Sequence, residues 1–401
     1  MTDGHVGTAP SPEVRQAAHD ETSDPVWVVP LSDVLVDDEI EGAVVDAVRS
    51  GWWSMGAGVA TFEEQFAELC GVQAAFAVAN GTAALHLALL SVGCGPGDEV
   101  LLPSLNFVAA ANTIGHVGAT PVFCDIEGED RLNVDPADIE AAVGPATRAV
   151  VVMHYGGHPC RMDAILEVAR RYDLAVIEDA AHAVGADLDG RACGSIGDVG
   201  CFSFFSNKNL PTGEGGMVVT DDEALATRIR LLRSHGMTTL TWDRHRGHAH
   251  TYDVVAQGYN YRFDELRAAI GLVQLPHLRE RNAARGRIVA RYRSELEGVG
   301  GLKMPFASNG EATPAHHLAV ILLPEDRPRD EFRRILAGRG IQTSVHYPPI
   351  HQFTYYRSHR TARPLPVTES LAKRIVTIPL YPHMSDDDIA AVTGAVREGM
   401  S

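Results

Sequence analysis

Residues 74–93, AAFAVANGTAALHLALLSVG, set an apolar run of strand character against a small polar turn, Asn80-Gly81-Thr82, and then a helical pattern. Leu85, Ala88, Leu89 and Val92 fall at i, i+3, i+4 and i+7, the spacing of one buried helix face. The same alternation continues on the C-terminal side. EVLLPS (99–104), TPVFCDI (120–126), RAVVVMHY (148–155) and LAVIEDA (174–180) read as strands, as do CFSFFS (201–206) and GMVVT (216–220). Between and after them, VAAANTIGHVG (108–118), MDAILEVARRYD (162–173) and DEALATRIRLLRSHG (222–236) read as helices. Continuous apolar strands alternating with helices predict an α/β fold, a mainly parallel sheet covered on both faces.

Outward from this core the pattern changes. A long helix is predicted over 278–299, followed by a smaller α+β arrangement with strands HHLAVILL (316–323) and IQTSVHY (341–347) around the helix DEFRRILAGRG (330–340). The expected division is a disordered tail at 1–25, rich in Ala, Pro, Ser, Thr and acids, a large domain at 26–275 and a small C-terminal domain at 276–401. The 401 residues suit two or three domains at roughly 100–200 residues each.

Composition narrows the function. There are 34 Lys plus Arg against 52 Asp plus Glu, a formal charge of −18, with no basic block. Nucleic acid and anionic membrane are therefore not expected as partners. No apolar run reaches the roughly 18–20 residues of a membrane span. The N-terminus lacks a basic segment followed by an apolar one, so no signal peptide is read there. Six cysteines without a C-x-x-C pair suggest reduced thiols and a cytoplasmic location. His235, His245, His248 and His250 lack metal-ligand spacing, and Arg244 and Arg246 among them would repel a cation, so no metal is expected. The P-loop, dinucleotide and nucleophile-elbow signatures are missing.

Three features could carry chemistry. Gly81-Thr82 sits at a strand-to-helix turn, where open amides and a hydroxyl suit a phosphate. Asp179 ends the strand LAVIEDA, at the edge where open α/β sheets bind ligands, and His182 lies three residues on. Lys208 follows the strand CFSFFS, where partial desolvation makes an amine nucleophilic toward carbonyls. Each also has a plain reading: a capped turn, a capping Asp, a solvated Lys. Together and in this order they match the needs of pyridoxal phosphate, namely a phosphate dock, a carboxylate for the pyridine nitrogen and a Lys for a Schiff base.

At that point the chain resembles the DegT/DnrJ/EryC1/StrS family of sugar aminotransferases, within the aspartate aminotransferase-like (fold type I) enzymes. The resemblance runs from about Trp27 to Pro382. It rests on GWWSMGAGVATFEEQFA (51–67), NGTAALHLAL (80–89), PSLNFVAAANTI (103–114), IEDAAHAVGA (177–186), GDVGCFSFFSNKNLPTGEGGMVVT (197–220), GYNYRFDELRAAIGLVQL (258–275) and VHYPPIH (345–351).

The resemblance implies that Lys208 holds the cofactor and then serves as acid–base, and that Asp179 pairs with the pyridinium nitrogen. It implies Phe107 against the ring, and Gly81, Thr82 and Ser203 on the phosphate. Asn260 would reach the phosphate of a neighbouring subunit, making a homodimer with shared sites. His182 stands where many members have Gln, and Ser206-Asn207 where Pro-Thr is common; His182 can still serve the cofactor's ring oxygen. Related sugar 3-dehydratases carry His at the Lys position, so Lys208 favours transamination.

The implied reaction takes nitrogen from glutamate or glutamine, through pyridoxamine 5'-phosphate, to a nucleotide-linked keto sugar, foremost a dTDP-4-keto-6-deoxyhexose, in amino-sugar biosynthesis. Trp53 (or Trp52), Arg262, Arg244, Arg246, His346 and Tyr347 are candidate substrate contacts. A cofactor-dependent sugar dehydratase and a non-catalytic regulatory protein of the same fold are the rival readings.

Overall fold

Strands whose residues are apolar on both faces must be covered on both, and this requirement organises the molecule. A computed structural model describes residues 27–239, 251–307, 310, 312–358 and 364–401. Seven strands form the central sheet: β1 (Ala74–Val78), β2 (Glu99–Pro103), β3 (Thr120–Cys124), β4 (Thr147–Met153), β5 (Ala175–Asp179), β6 (Val199–Ser203) and β7 (Gly216–Thr220). Their order is β1-β7-β6-β5-β4-β2-β3. From β3 to β6 every pairing is parallel, whereas β7 runs antiparallel to both β6 and β1.

Helices close both faces. Helix α1 (Asp38–Arg49) and helix α2 (Ala57–Cys70) precede β1, and α2 brings Phe62 and Phe66 against Phe202, Phe204, Met217 and Val219. The Phe62 and Phe66 rings each lie 5.5 Å from the ring of Phe204, within the range of favourable aromatic pairs. On the opposite face helix α3 (Gly81–Ser91) packs Leu87 and Leu89 against Val100, Val151, Ile177 and Val218. Most of α3 is buried, as expected of a helix apolar all round. It begins at the carboxyl end of β1, so sheet and core packing fix where its N-terminus points.

After the helix Leu278–Leu296 the chain builds a two-stranded antiparallel sheet, β8 (Ala319–Leu322) with β9 (Ile375–Ile378). Helices Arg329–Gly338 and Asp386–Gly399 bury Phe332, Leu336, Val392 and Val396 against it. Here one expected element differs. The stretch 341–347 is not a strand: Ile341 and Ser344 make single bridges, to Val29 and Thr377, and the strand that pairs with β8 is 375–378. Ile375, Val376 and Ile378 are fully buried, while 341–347 carries Gln342, Thr343 and Ser344 and runs into Pro348-Pro349. Prolines lack the donors a ladder needs. Its last residues turn into the large sheet's cavity instead.

The tail read at 1–25, and Arg244, His245, Arg246, His248 and His250, lie outside the described residues. Among the described residues no helix is long and apolar enough to cross a membrane, and no His, Cys, Asp or Glu group could hold a metal ion. All six cysteines are buried and none forms a disulfide.

Candidate active site

The carboxyl ends of β1, β5 and β6 open into one cavity of about 480 Å³, large enough for a cofactor and part of a substrate. Nine of the residues singled out in the sequence line it: Gly81, Thr82, Phe107, Asp179, His182, Ser203, Lys208, His346 and Tyr347. Three do not. Trp53 is exposed and donates its indole N–H to the Val48 carbonyl at 3.0 Å. Asn260 is exposed on a strand-like bridge to Ser234, and Arg262 donates to the Ser234 hydroxyl at 3.2 Å.

The first amides of a helix have no partner within it. At α3 the Asn80 side chain accepts the Ala83 N–H at 2.8 Å, leaving the amides of Gly81 and Thr82 for a ligand at the positive end of the helix. Close approach to β6 requires the glycine. A Cβ on Gly81 would stand 2.9 Å from the Ser203 Cβ and 3.3 Å from its hydroxyl oxygen. Gly81→Ala would raise helix propensity, yet it forces this cradle apart. We expect cofactor affinity to fall by about 1–3 kcal/mol, roughly five- to 150-fold in Kd, in a fluorescence titration with pyridoxal phosphate. A Kd within about twofold of wild type would refute the cradle.

Asp179 ends β5 and is buried. Among the described residues its carboxylate accepts one long hydrogen bond, 3.3 Å from the Ala181 amide. Burial pushes its carboxyl pKa up, opposed by the Ala181 amide and the Lys208 charge. Such a carboxylate lacks a strong cationic donor, and a protonated ring nitrogen is one.

Lys208 is its counterpart. Burial pulls the amine down to about 8, with Asp179 acting the other way. At neutral pH about one Lys208 in ten is then an uncharged nucleophile, against about one in three thousand for an ordinary lysine. The two groups feel each other's charge yet form no ion pair. Both line the cavity, and the donor set fits pyridoxal phosphate: phosphate amides, a ring-nitrogen carboxylate and an amine.

Aromatic and imidazole rings complete the wall. Phe107 is half exposed toward the cavity, its ring 5.9 Å from that of Tyr347. His182 takes the Gly156 N–H on Nδ1 at 3.3 Å, so Nε2 carries the ring proton and donates to the Tyr347 oxygen at 2.9 Å. Burial, aided by the Lys208 charge, holds His182 well below the usual imidazole pKa, and the same causes bring His346 to about 4. Both rings are neutral at neutral pH.

Sequence reasoning named Asn80 as a cap of the turn, which the structure shows, but missed Asn207, Glu214, His317, Asn209 and Asn282 as parts of the site. Asn207 and Glu214 line the cavity, and His317 stands 3.4 Å from the Lys208 amine. The signal for His317 was present in HHLAVILL, an imidazole at the mouth of an apolar run, but nothing local pairs it with Lys208.

Comparison with known proteins gives the family. The model of the DegT/DnrJ/EryC1/StrS aminotransferase family matches residues 35–397. Spore coat polysaccharide biosynthesis protein SpsC of Bacillus subtilis (strain 168) is 44% identical over 377 residues, 92% of this chain and 96% of that one. Among solved structures, S. venezuelae DesV, in complex with a ketimine intermediate, is 36% identical with a TM-score of 0.84, covering 93% of this chain and 99% of that one. The sugar aminotransferase Spr1654 of Streptococcus pneumoniae, described as putative and solved in its PLP form, is 27% identical with a TM-score of 0.85, covering 93% of this chain and 98% of that one.

Proposed function

The chain belongs to the DegT/DnrJ/EryC1/StrS aminotransferase family, and from that premise we propose that it moves an amino group from glutamate or glutamine to the ketone of a nucleotide-linked sugar, foremost a dTDP-4-keto-6-deoxyhexose, in amino-sugar biosynthesis. It is a pyridoxal phosphate-dependent sugar aminotransferase. The observation that carries the proposal is the placing of Lys208 and Asp179 in one cavity with the open N-terminus of α3.

Pyridoxal 5'-phosphate, when bound, supplies an electron sink. The chain does the rest. The Gly81 and Thr82 amides and the Thr82 and Ser203 hydroxyls would hold the cofactor's phosphate. Asp179 would keep the proton on the ring nitrogen, and Phe107 would lie against the ring. His182 would serve the cofactor's ring oxygen. The Lys208 amine takes a proton from the donor's α-carbon and delivers one to the sugar carbon, fixing the stereocentre from one face. An amine there, where dehydratases carry His, supports transfer of nitrogen over loss of water.

Substrate groups meet His346 and Tyr347, which line the cavity, whereas Trp53 and Arg262 lie outside it in their own chain. Asn260 lies outside the cavity of its own chain, beside the exposed Tyr252, Val254 and Val255. That position supports a homodimer in which Asn260 reaches the phosphate held by the partner. Six buried cysteines, none of them in a disulfide, support a cytoplasmic location.

The test is direct. Purified protein loaded with pyridoxal phosphate loses its lysine-linked absorption on adding glutamate or glutamine, and a ketosugar then gains the mass of an amine. If no donor changes the spectrum and no sugar in a panel of 4-keto, 3-keto and cyclitol ketones is aminated, the proposal falls.

A further inference from the structure

Behind Lys208 runs a chain of buried side chains whose hydrogen bonds leave one arrangement of protons. Asn282 donates from Nδ2 to the Val184 carbonyl at 2.9 Å, so its Oδ1 points the other way. That oxygen accepts from Asn209 Nδ2 at 2.7 Å, and the same Nδ2 also donates to the Ala315 carbonyl at 2.7 Å. A flipped Asn209 amide would set its oxygen against two acceptors, so the orientation is fixed. Asn209 Oδ1 therefore faces His317 Nδ1, 3.0 Å away, and Nδ1 must carry the proton. The opposite nitrogen, Nε2, is left with a bare lone pair 3.4 Å from the Lys208 Nζ.

Nothing lets this ring turn or charge. His317, Asn209 and Asn282 are all buried. The His182 ring lies 4.4 Å from that of His317, itself held by Gly156 and Tyr347. Burial, the Lys208 charge and nearby imidazoles keep His317 well below its usual pKa, so it stays neutral. The groups around it are Lys208, His182, His346 and Arg285, none of them an acid that would favour a charged ring.

We infer that His317 is a positioning residue for Lys208: the fixed Nε2 lone pair takes one Nζ hydrogen and aims the rest of the amine into the cavity. This rests on the reading of Lys208 given above. An amine with one hydrogen docked has its rotation about Cε–Nζ restricted, so its lone pair or remaining hydrogen faces the reacting atoms without a search. The dock serves whenever the amine is free. It involves no bond change and no net proton transfer, since the neutral ring only accepts a hydrogen bond.

An acceptor stabilises the ammonium more than the amine, so removing it lowers the Lys208 pKa. The experiment is competitive labelling of Lys208 by acetic anhydride against pH in cofactor-free protein, read by peptide mass spectrometry. Wild type should titrate at about 8. His317→Leu should titrate about one pH unit lower, and His317→Gln, which restores an oxygen acceptor, should return toward wild type. In the loaded enzyme His317→Leu should lower kcat about tenfold with little change in KM.

An unchanged midpoint in folded His317→Leu overturns the inference while Lys208 still captures the cofactor. Failure of Lys208 to capture cofactor in wild type overturns the underlying reading instead. The wild type offers a measurement independent of any variant, the ¹⁵N shifts of His317. A protonated Nδ1 and a bare Nε2 through the Lys208 titration support the dock, and an Nε2–H tautomer refutes it.

Discussion

Lys208→Ala lowers amino transfer by about three orders of magnitude or more, while leaving the phosphate grip at Gly81 and Thr82 intact. The variant loses the amine that moves the proton, worth about 10²–10⁴ on its own, and also the covalent anchor. Lys208→Arg does not rescue it: a guanidinium never gives up its proton near neutral pH and so offers no lone pair. Single-turnover kinetics with glutamate, with cofactor retention followed by absorbance, separate the two losses. Activity of Lys208→Ala within about tenfold of wild type would remove this residue from the chemistry.

Glu178→Gln carries the largest expected loss of stability, about 3 kcal/mol. Glu178 lies in the middle of the sheet, fully buried, one residue before Asp179. Its carboxylate accepts from the Gly194 amide at 2.8 Å, the Ile196 amide at 2.6 Å, the Gly197 amide at 2.5 Å and His154 Nε2 at 2.8 Å. Burial opposes the charge, but these donors outweigh it and hold the carboxyl below its usual range. His154 Nδ1 in turn lies 3.1 Å from the Cys160 amide.

An amide in place of the carboxylate turns one acceptor into a donor aimed at donors, leaving buried groups unpaired. Urea unfolding should show a lower midpoint at unchanged slope. The neighbouring Asp179 should lose position, seen as weaker cofactor binding. A midpoint equal to wild type would show that the four hydrogen bonds contribute nothing net.

The parts of the site legible in the sequence are those fixed by local chain geometry. Strand ends are visible as changes of period, so the residues alone place Gly81, Asp179 and Lys208 at one sheet edge, while Ser203, inside the strand read over 201–206, came only from the resemblance. What escaped involves separations without a pattern. The His317–Asn209 bond spans 108 residues and the Asn209–Asn282 bond 73, and no periodicity records such pairs. The exchange of 341–347 for 375–378 in the small sheet has a similar cause. Both segments have strand composition, and burial on two faces decides between them. Glu178 was equally hidden, since an acid inside an apolar run says nothing about which amides will converge on it.

The antiparallel strand β7 has one more consequence. Because it starts at the edge where β6 finishes, the twelve residues from 204 to 215 return directly and need no helical crossover. Lys208 sits in that short return. Every parallel connection in the sheet must close a longer loop and so loses more chain entropy before its contacts form. The reactive amine is therefore carried by the link whose ends meet most readily during folding, while Asp179 waits on distant strands for its surroundings. Order of assembly and chemical role divide along the same line: the nucleophile comes from a local hairpin, and its electrostatic setting from the completed sheet.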